Sequence, residues 1–384
     1  MMTELKQRLS RVQAYLEADP ANTHLWFELA DLNLQAGRSS ECEEALRRLL
    51  ALDPAHFGGR SLQGVCLMRQ ARLDDAVAVF QALQADGWSE PALFYNLAYA
   101  LMLQGRYAEA EPHAAAAASR LDALPEAGPL HARALHFLGR VDEAVAAAEQ
   151  ALRRHPEHLP LYGLLATLYL DQENLAAAEI IARQVLDAAP GDPDAATTLG
   201  MLALSQQDLP VALPLLRQAC ARKPNSGRAQ MGLGLAAMLE GRLDEAEAGV
   251  VQALRHMPGH IGSWHVLAWC RILQNRPAEA KEALLEALRL DRNFADTHGG
   301  LAVVAIMEGH AQEAQQSVRR ALGLNPNSFP GLYAQSLLLQ AAGQPAQAKA
   351  IHERLMSSAV LPDGTRLNEA VAKAMALSPF NRDA

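Results

Sequence analysis

Apolar residues recur at helical spacing along almost the whole chain, in pairs of blocks separated by a short polar break. The stretch "MLEGRLDEAEAGVVQALRHMPGH" (residues 238–260) shows the unit. A glycine and a basic residue lead into an acidic step, then an apolar face, then a proline. Nearly the same phrase occurs as "FLGRVDEAVAAAEQALRRHPEH" and as "MEGHAQEAQQSVRRALGLNPNS". The closing prolines Pro20, Pro54, Pro156, Pro190, Pro224, Pro258 and Pro326 are separated by multiples of 34 residues. The alanine twelve residues before each closing site keeps that step from Ala76 to Ala348, with Cys42 replacing it in the first unit. A small residue in the first block does the same: Ala30, Gly64, Ala98, Ala132, Ala166, Gly200, Gly234, Ala268, Ala302 and Ser336. No insertion or deletion is needed between Ala21 and about Leu361. A period of this length marks stacked supersecondary units, each too small to bury its own apolar face.

Each unit predicts two helices. Glycine fills the break at Gly37, Gly105, Gly139, Gly241, Gly309 and Gly343, where a left-handed residue would end the first helix. Acids, or Pro277 and Pro345, open the second helix, where free N–H groups and the helix dipole favour them. The closing proline cannot continue a helix and turns the chain into the next unit. Helix over about three-quarters of the residues and no strand are expected.

The pattern resembles the tetratricopeptide repeat family. "WFELADLNLQAG" (Trp26, Leu29, Ala30) and "WHVLAWCRILQN" (Trp264, Leu267, Ala268) fit the first helix of that repeat. "LYGLLATLYLDQ" supplies Tyr162, Leu165, Ala166 and Tyr169, and Ala76 with Phe80 fits the second helix. The resemblance covers about nine-tenths of the chain. It implies an all-α, right-handed α-solenoid of ten helix-turn-helix repeats. These start near Thr23, Phe57, Pro91, Pro125, Leu159, Pro193, Gly227, Ile261, Ala295 and Phe329. Residues 1–21 read as a half-repeat capping helix, 22–124 as repeats 1–3, 125–362 as repeats 4–10, and 363–384 as a C-terminal capping helix. The pattern is disturbed at "SRLDALPEAGPLH" (residues 119–131), where Pro125, Gly128 and Pro129 shorten the fourth first helix to a start near Pro129. The segment reads either as a hinge between the two repeat blocks or as a rigid irregular loop.

Composition narrows the function. The chain has 384 residues, is half hydrophobic and carries a formal charge of −9, with no basic face for nucleic acid. Residues 1–192 hold 26 acids against 16 bases, an excess that would suit a basic partner there or simply a solvated acidic surface. Cys42, Cys66, Cys220 and Cys270 form no CxxC pair and read as buried thiols in a reducing compartment. The N-terminal stretch "MMTELKQRLSRVQAYLE" lacks the apolar core of a signal peptide, and no apolar run reaches membrane-spanning length, so a cytoplasmic location is expected. Nucleotide-binding, zinc-protease and serine-hydrolase motifs are missing, and no cofactor is expected. His256 and His260 flank a Pro-Gly turn and His265 lies in the tryptophan-bearing helix that follows, so the group reads as solvated turn histidines before a metal site. Carboxylate pairs such as Glu43 and Glu44, or Asp74 and Asp75, read as helix-start residues.

In the resembled family the fifth and ninth positions of each first helix line a concave, partner-binding face. Here those positions include Phe27, Tyr95, Tyr99, Met201 and Met231. Further along they include Leu235, His265, Trp269 and Tyr333. The carboxylate clamp known in that family is absent, since none of these positions is Lys or Asn, and the asparagine ladder is missing as well, with only Asn96 at its usual place. The set is apolar and aromatic, which suits either an adaptable surface for apolar peptide segments or plain packing between repeats. The expectation is a non-enzymatic scaffold: an adaptor or chaperone, of bacterial type by its Arg-over-Lys and Ala-rich composition, binding an apolar segment of a protein. A ligand-responsive peptide or small-molecule sensor, and a non-catalytic subunit positioning a separately encoded enzyme, are the alternatives.

Overall fold

A helix can pack closely on its neighbour only where the side chains between them are small, and the 34-residue step supplies such residues at fixed places. The consequence is visible in a computed structural model, which describes residues 2–358. The C-terminal helix expected over 363–384 lies outside the described residues. Among those described there are 21 helices and no strand. The chain divides after Glu173 into two compact units.

The first unit holds α1 (Met2–Ala18), α2 (Thr23–Gln35), α3 (Ser39–Leu52), α4 (Phe57–Arg69) and α5 (Leu73–Ala85). It continues with α6 (Pro91–Leu103), α7 (Tyr107–Ala118), α8 (Ala127–Phe137), α9 (Val141–Arg154) and α10 (Leu159–Asp171). The second holds α11 (Leu175–Ala188), α12 (Pro193–Ser205), α13 (Leu209–Arg222), α14 (Gly227–Leu239), α15 (Leu243–His256) and α16 (Ile261–Leu273). It then runs through α17 (Pro277–Leu290), α18 (Ala295–Met307), α19 (Ala311–Leu324), α20 (Phe329–Ala341) and α21 (Pro345–Ser358). Within each unit, successive helices pack on their chain neighbours, which is the all-α solenoid arrangement. The first helix, α1, keeps the register of a second helix: Leu9, Val12 and Leu16 are buried against α2, and Arg8 pairs with Glu28 at 3.1 Å.

The small position of each first helix faces the second helix of its own hairpin. A Cβ on Gly64 would lie 2.4 Å from the Phe80 ring, one on Gly200 2.7 Å from Leu216, and one on Gly234 2.9 Å from Val250. Phe80, Leu216 and Val250 all stand sixteen residues on and are fully buried. The apolar bulk of the second helix therefore occupies the room that the first helix gives up.

Every hairpin turns through one left-handed residue. Six are the glycines expected from the sequence, with φ between 72° and 78°. The remaining four, Ala71, Glu173, Gln207 and Asn275, adopt φ of 56–61° at the same register. A second recurring contact closes the other end of the unit. Trp26 donates its indole N–H to the Pro20 carbonyl at 2.8 Å, and Trp264 does the same to Pro258 at 2.9 Å. Gln230 and His298, at that same position in their repeats, reach the carbonyls of Pro224 and Arg292. The chemistry of the side chain changes while the acceptor, six residues back, does not.

At the irregular segment, α8 begins at Ala127, two residues earlier than Pro129. Gly128 allows this, because a Cβ there would come 2.5 Å from Cβ of Ala151 on α9. The preceding loop lies inside the first unit. It buries Leu121 in the same core cluster as Ala151 and Leu152, and the Leu121 carbonyl meets Nε2 of His155 at 3.1 Å.

Three substitutions test these constraints. Gly64→Ala forces a methyl into the Phe80 ring and should lower unfolding stability by about 1–3 kcal/mol, despite alanine's better helix propensity. Ala71→Gly relieves a left-handed alanine and should raise stability by roughly 0.5–1 kcal/mol, whereas Gly105→Ala should lower it by at least about 1 kcal/mol. Urea denaturation followed by circular dichroism reads all three. Equal stability of Gly64→Ala and the parent chain would refute the close-approach account.

Candidate partner-binding surface

The first-helix positions singled out above fall into separate groups. In the first unit, Tyr95 and Tyr99 are one turn apart on α6 and their rings stack at 6.2 Å, within 5° of parallel. Tyr95 is half-buried against Ala98, Leu130 and Ala134, and burial pushes its hydroxyl pKa up, with Glu126 adding and Arg133 opposing. Tyr99 leaves 42% of its surface exposed. Phe27 stands apart from this pair. It packs on the first core cluster beside His56, ring centroids 5.5 Å apart.

In the second unit, Met201 and Leu235 pack partly buried on one cluster built around Leu204, Leu216 and Ala236. Met231 goes inward: only 6% exposed, it lies in the core with Val250, Leu254 and Leu267. His265 is half-buried, its Nε2 2.7 Å from Thr297 Oγ1 and its ring edge-on to Phe294 at 5.1 Å. Trp269 on α16 and Tyr333 on α20 are two repeats apart, yet their rings meet at 6.3 Å. The intervening α18 makes this possible, since it presents Gly299 and the buried Val303 at the corresponding positions. A Cβ on Gly299 would sit 2.4 Å from the Gly331 nitrogen, so α18 and α20 approach backbone to backbone. Phe329 stacks behind Tyr333 at 6.4 Å, extending the aromatic run.

A further register position carries exposed apolar side chains that the fifth and ninth positions do not capture. Leu103, Phe137, Leu239 and Leu273 are the thirteenth residues of their repeats and end α6, α8, α14 and α16. All four are exposed. The signal was present as an apolar residue four places after the ninth position, hence on the same helix face.

The rest of the chemistry is structural. His260 caps α16, its Nδ1 accepting from the Ser263 N–H at 3.1 Å, while His265 turns to Thr297. No group of three or more His, Cys, Asp or Glu able to hold a metal occurs among the described residues. Glu44 pairs with Arg47 and Arg48, and Asp75 with Arg72. All four cysteines are free thiols. Burial, aided by Cys66, pushes Cys42 up to about 12, and burial pushes Cys270 up to about 11, so neither forms a reactive thiolate near neutral pH. No described helix is long and apolar enough to cross a membrane.

Models of the tetratricopeptide repeat match residues 9–57, 34–91, 63–127, 197–258 and 273–329, and a second model of the same repeat matches 138–202. No curated protein sequence matches the chain. Among solved structures it is similar to the APC/C hetero-tetramer Cut9–Hcn1, at 14% identity and a TM-score of 0.53, covering 100% of this chain and 92% of that one. It is also similar to a monomeric mutant of IFIT1 solved with m7Gppp-AAAA, at 15% identity and TM-score 0.52, over 91% of this chain and 94% of that one. A likeness to Pseudomonas aeruginosa pilF has 21% identity and a TM-score of 0.43, over 58% of this chain and 98% of that one. At these identities the first two likenesses show the fold alone.

The half-buried His265 gives a pH signature. Burial holds its pKa below the ordinary 6.5, outweighing the pull of Asp296. The unfolded chain therefore binds more protons below pH 6.5, and stability present above that value is lost as pH falls towards the folded pKa. Thermal melting should drop between pH 7.5 and about 5.5, and His265→Gln should flatten part of that slope. An unchanged slope in the variant would show that His265 does not contribute.

Proposed function

The chain belongs to the tetratricopeptide repeat family, and from that premise we propose that it is an adaptor or chaperone whose first-helix face holds an apolar segment of a partner protein. The family makes a protein-interaction scaffold the general role. The observation that carries the finer reading is the Tyr95–Tyr99 stack, an aromatic pair one turn apart with the outer ring 42% exposed. Aromatic rings concentrate interface energy while losing few rotatable bonds, and a ring already stacked on its neighbour loses fewer still. In the second unit Trp269 and Tyr333 support the same reading. They are half-buried and braced against each other, which orders them before a partner arrives. Met201 and Leu235 would contribute adaptable apolar area, and His265 an aromatic edge. Phe27 would extend the face at the N-terminal repeats. Met231 supports the surface from beneath through the core it occupies. Four free cysteines, three of them buried, suit a reducing cytoplasmic compartment. This scaffold role needs no catalytic group of its own.

Affinity purification followed by mass spectrometry tests the proposal, using the parent chain and the Tyr99→Ala and Trp269→Ala variants. A stoichiometric partner that falls by about tenfold or more with either variant is the expected result. The packing residue Trp264 provides the contrast. Trp264→Ala should cost about 3 kcal/mol of stability, as large truncations of packed side chains do, whereas Tyr99→Ala should leave the melting curve nearly in place. Release of a bound small molecule on denaturation would instead identify a sensor. Co-purification of an enzyme insensitive to both variants would identify a positioning subunit.

A further inference from the structure

We infer that the hairpin-turn edge of the first unit is a second docking surface, built for a basic amphipathic helix of a partner protein. This rests on the scaffold reading above but adds the turn edge that adjoins Tyr99 and names a partner chemistry. Phe137, the last residue of α8, is 54% exposed. Its ring lies face to face with that of Tyr107, the first residue of α7, at 4.5 Å and 11°. Leu103 holds the same register one repeat earlier and is 51% exposed. It follows Tyr99 by four residues, so Tyr99 and Leu103 share one face of α6. A pre-stacked aromatic pair whose outer ring is exposed, with an exposed leucine one repeat earlier, is the kind of anchor that a helix with an apolar stripe fills.

The surrounding charge is net acidic. Three successive turns each pair a single arginine with a carboxylate, and two of them carry a second carboxylate. Arg72 pairs with Asp75, Arg106 with Glu109 and Arg140 with Glu143, at 2.6–2.8 Å. The second carboxylates, Asp74 and Asp142, accept hydrogen bonds from the neutral amides of Gln104 and Gln172 at 2.8 and 2.7 Å. Asp171 sits 2.6 Å from His136, beside the Phe137 ring. Residues 1–173 together hold 23 acids against 15 Lys and Arg. The apolar anchor thus lies within an acidic rim, and lysines flanking an apolar stripe would complement both.

The test uses the full chain and two synthetic amphipathic peptides of about 15 residues, one Leu/Lys and one Leu/Glu, with the same apolar stripe. Fluorescence anisotropy should show the Leu/Lys peptide binding at least about tenfold more tightly than the Leu/Glu peptide. Phe137→Ala and Leu103→Ala should each weaken it about tenfold, with circular dichroism unchanged, and added salt should weaken it further. Equal binding of the two peptides would overturn the proposed partner chemistry. Binding that survives Phe137→Ala and Leu103→Ala but is lost in Tyr95→Ala or Trp269→Ala would overturn this surface and leave the first-helix reading standing. Loss of both readings would show as binding insensitive to all four variants. Sedimentation of a dimer that Phe137→Ala converts to monomer would make a second copy of the chain the occupant, and would also overturn the inference.

Discussion

The eighth residue of each repeat is small, and where it is glycine the second helix of the same hairpin delivers a bulky apolar side chain to that spot. Gly64 beneath Phe80 shows how tight the fit is: a single methyl would come 2.4 Å from the ring. Everything else in the fold follows from keeping that approach at each hairpin. The two helices must be nearly equal in length and the turn between them must have one shape. The chain must reverse again at a fixed distance. The left-handed residue at each hairpin and the side chain reaching the carbonyl six residues back fix those two reversals. Burial then propagates from one repeat to the next, because no hairpin covers its own outer face.

Much of this could be read in the sequence because the constraint is local and repeats ten times. The glycine register located the hairpin turns, and the structure fills the four non-glycine places with left-handed Ala71, Glu173, Gln207 and Asn275. Those four were illegible, since nothing in an alanine or a glutamine announces a positive φ. The start of α8 was misjudged by two residues because Gly128 was taken as a helix breaker. It serves instead as the place where α8 closes on Ala151.

The candidate surface was legible in register more than in accessibility. Tyr95 and Tyr99 share a face as helical spacing requires, and their stacking follows from it. The meeting of Trp269 with Tyr333 follows from Gly299 letting α18 close up on the α20 backbone, which is a tertiary effect. Met231 shows the opposite outcome, a fifth-position residue drawn into the core. The same register therefore gives exposed, half-buried or buried side chains according to how closely the adjacent first helices approach. The exposed thirteenth positions went unread for a related reason. They lie in the last helical turn, where an apolar residue looks like the end of a core stripe.

The uninterrupted 34-residue step also bears on how such a chain can change length. Each hairpin packs chiefly on its chain neighbours, and the 34-residue register is the same at each junction. Removing or duplicating a stretch of one full period brings together two faces that already match in register, wherever the cut falls. Losing one residue instead rotates every later side chain by about 100° around its helix and buries the wrong face until the turn absorbs it. Length in this architecture is therefore quantised: whole periods are the natural unit of gain and loss.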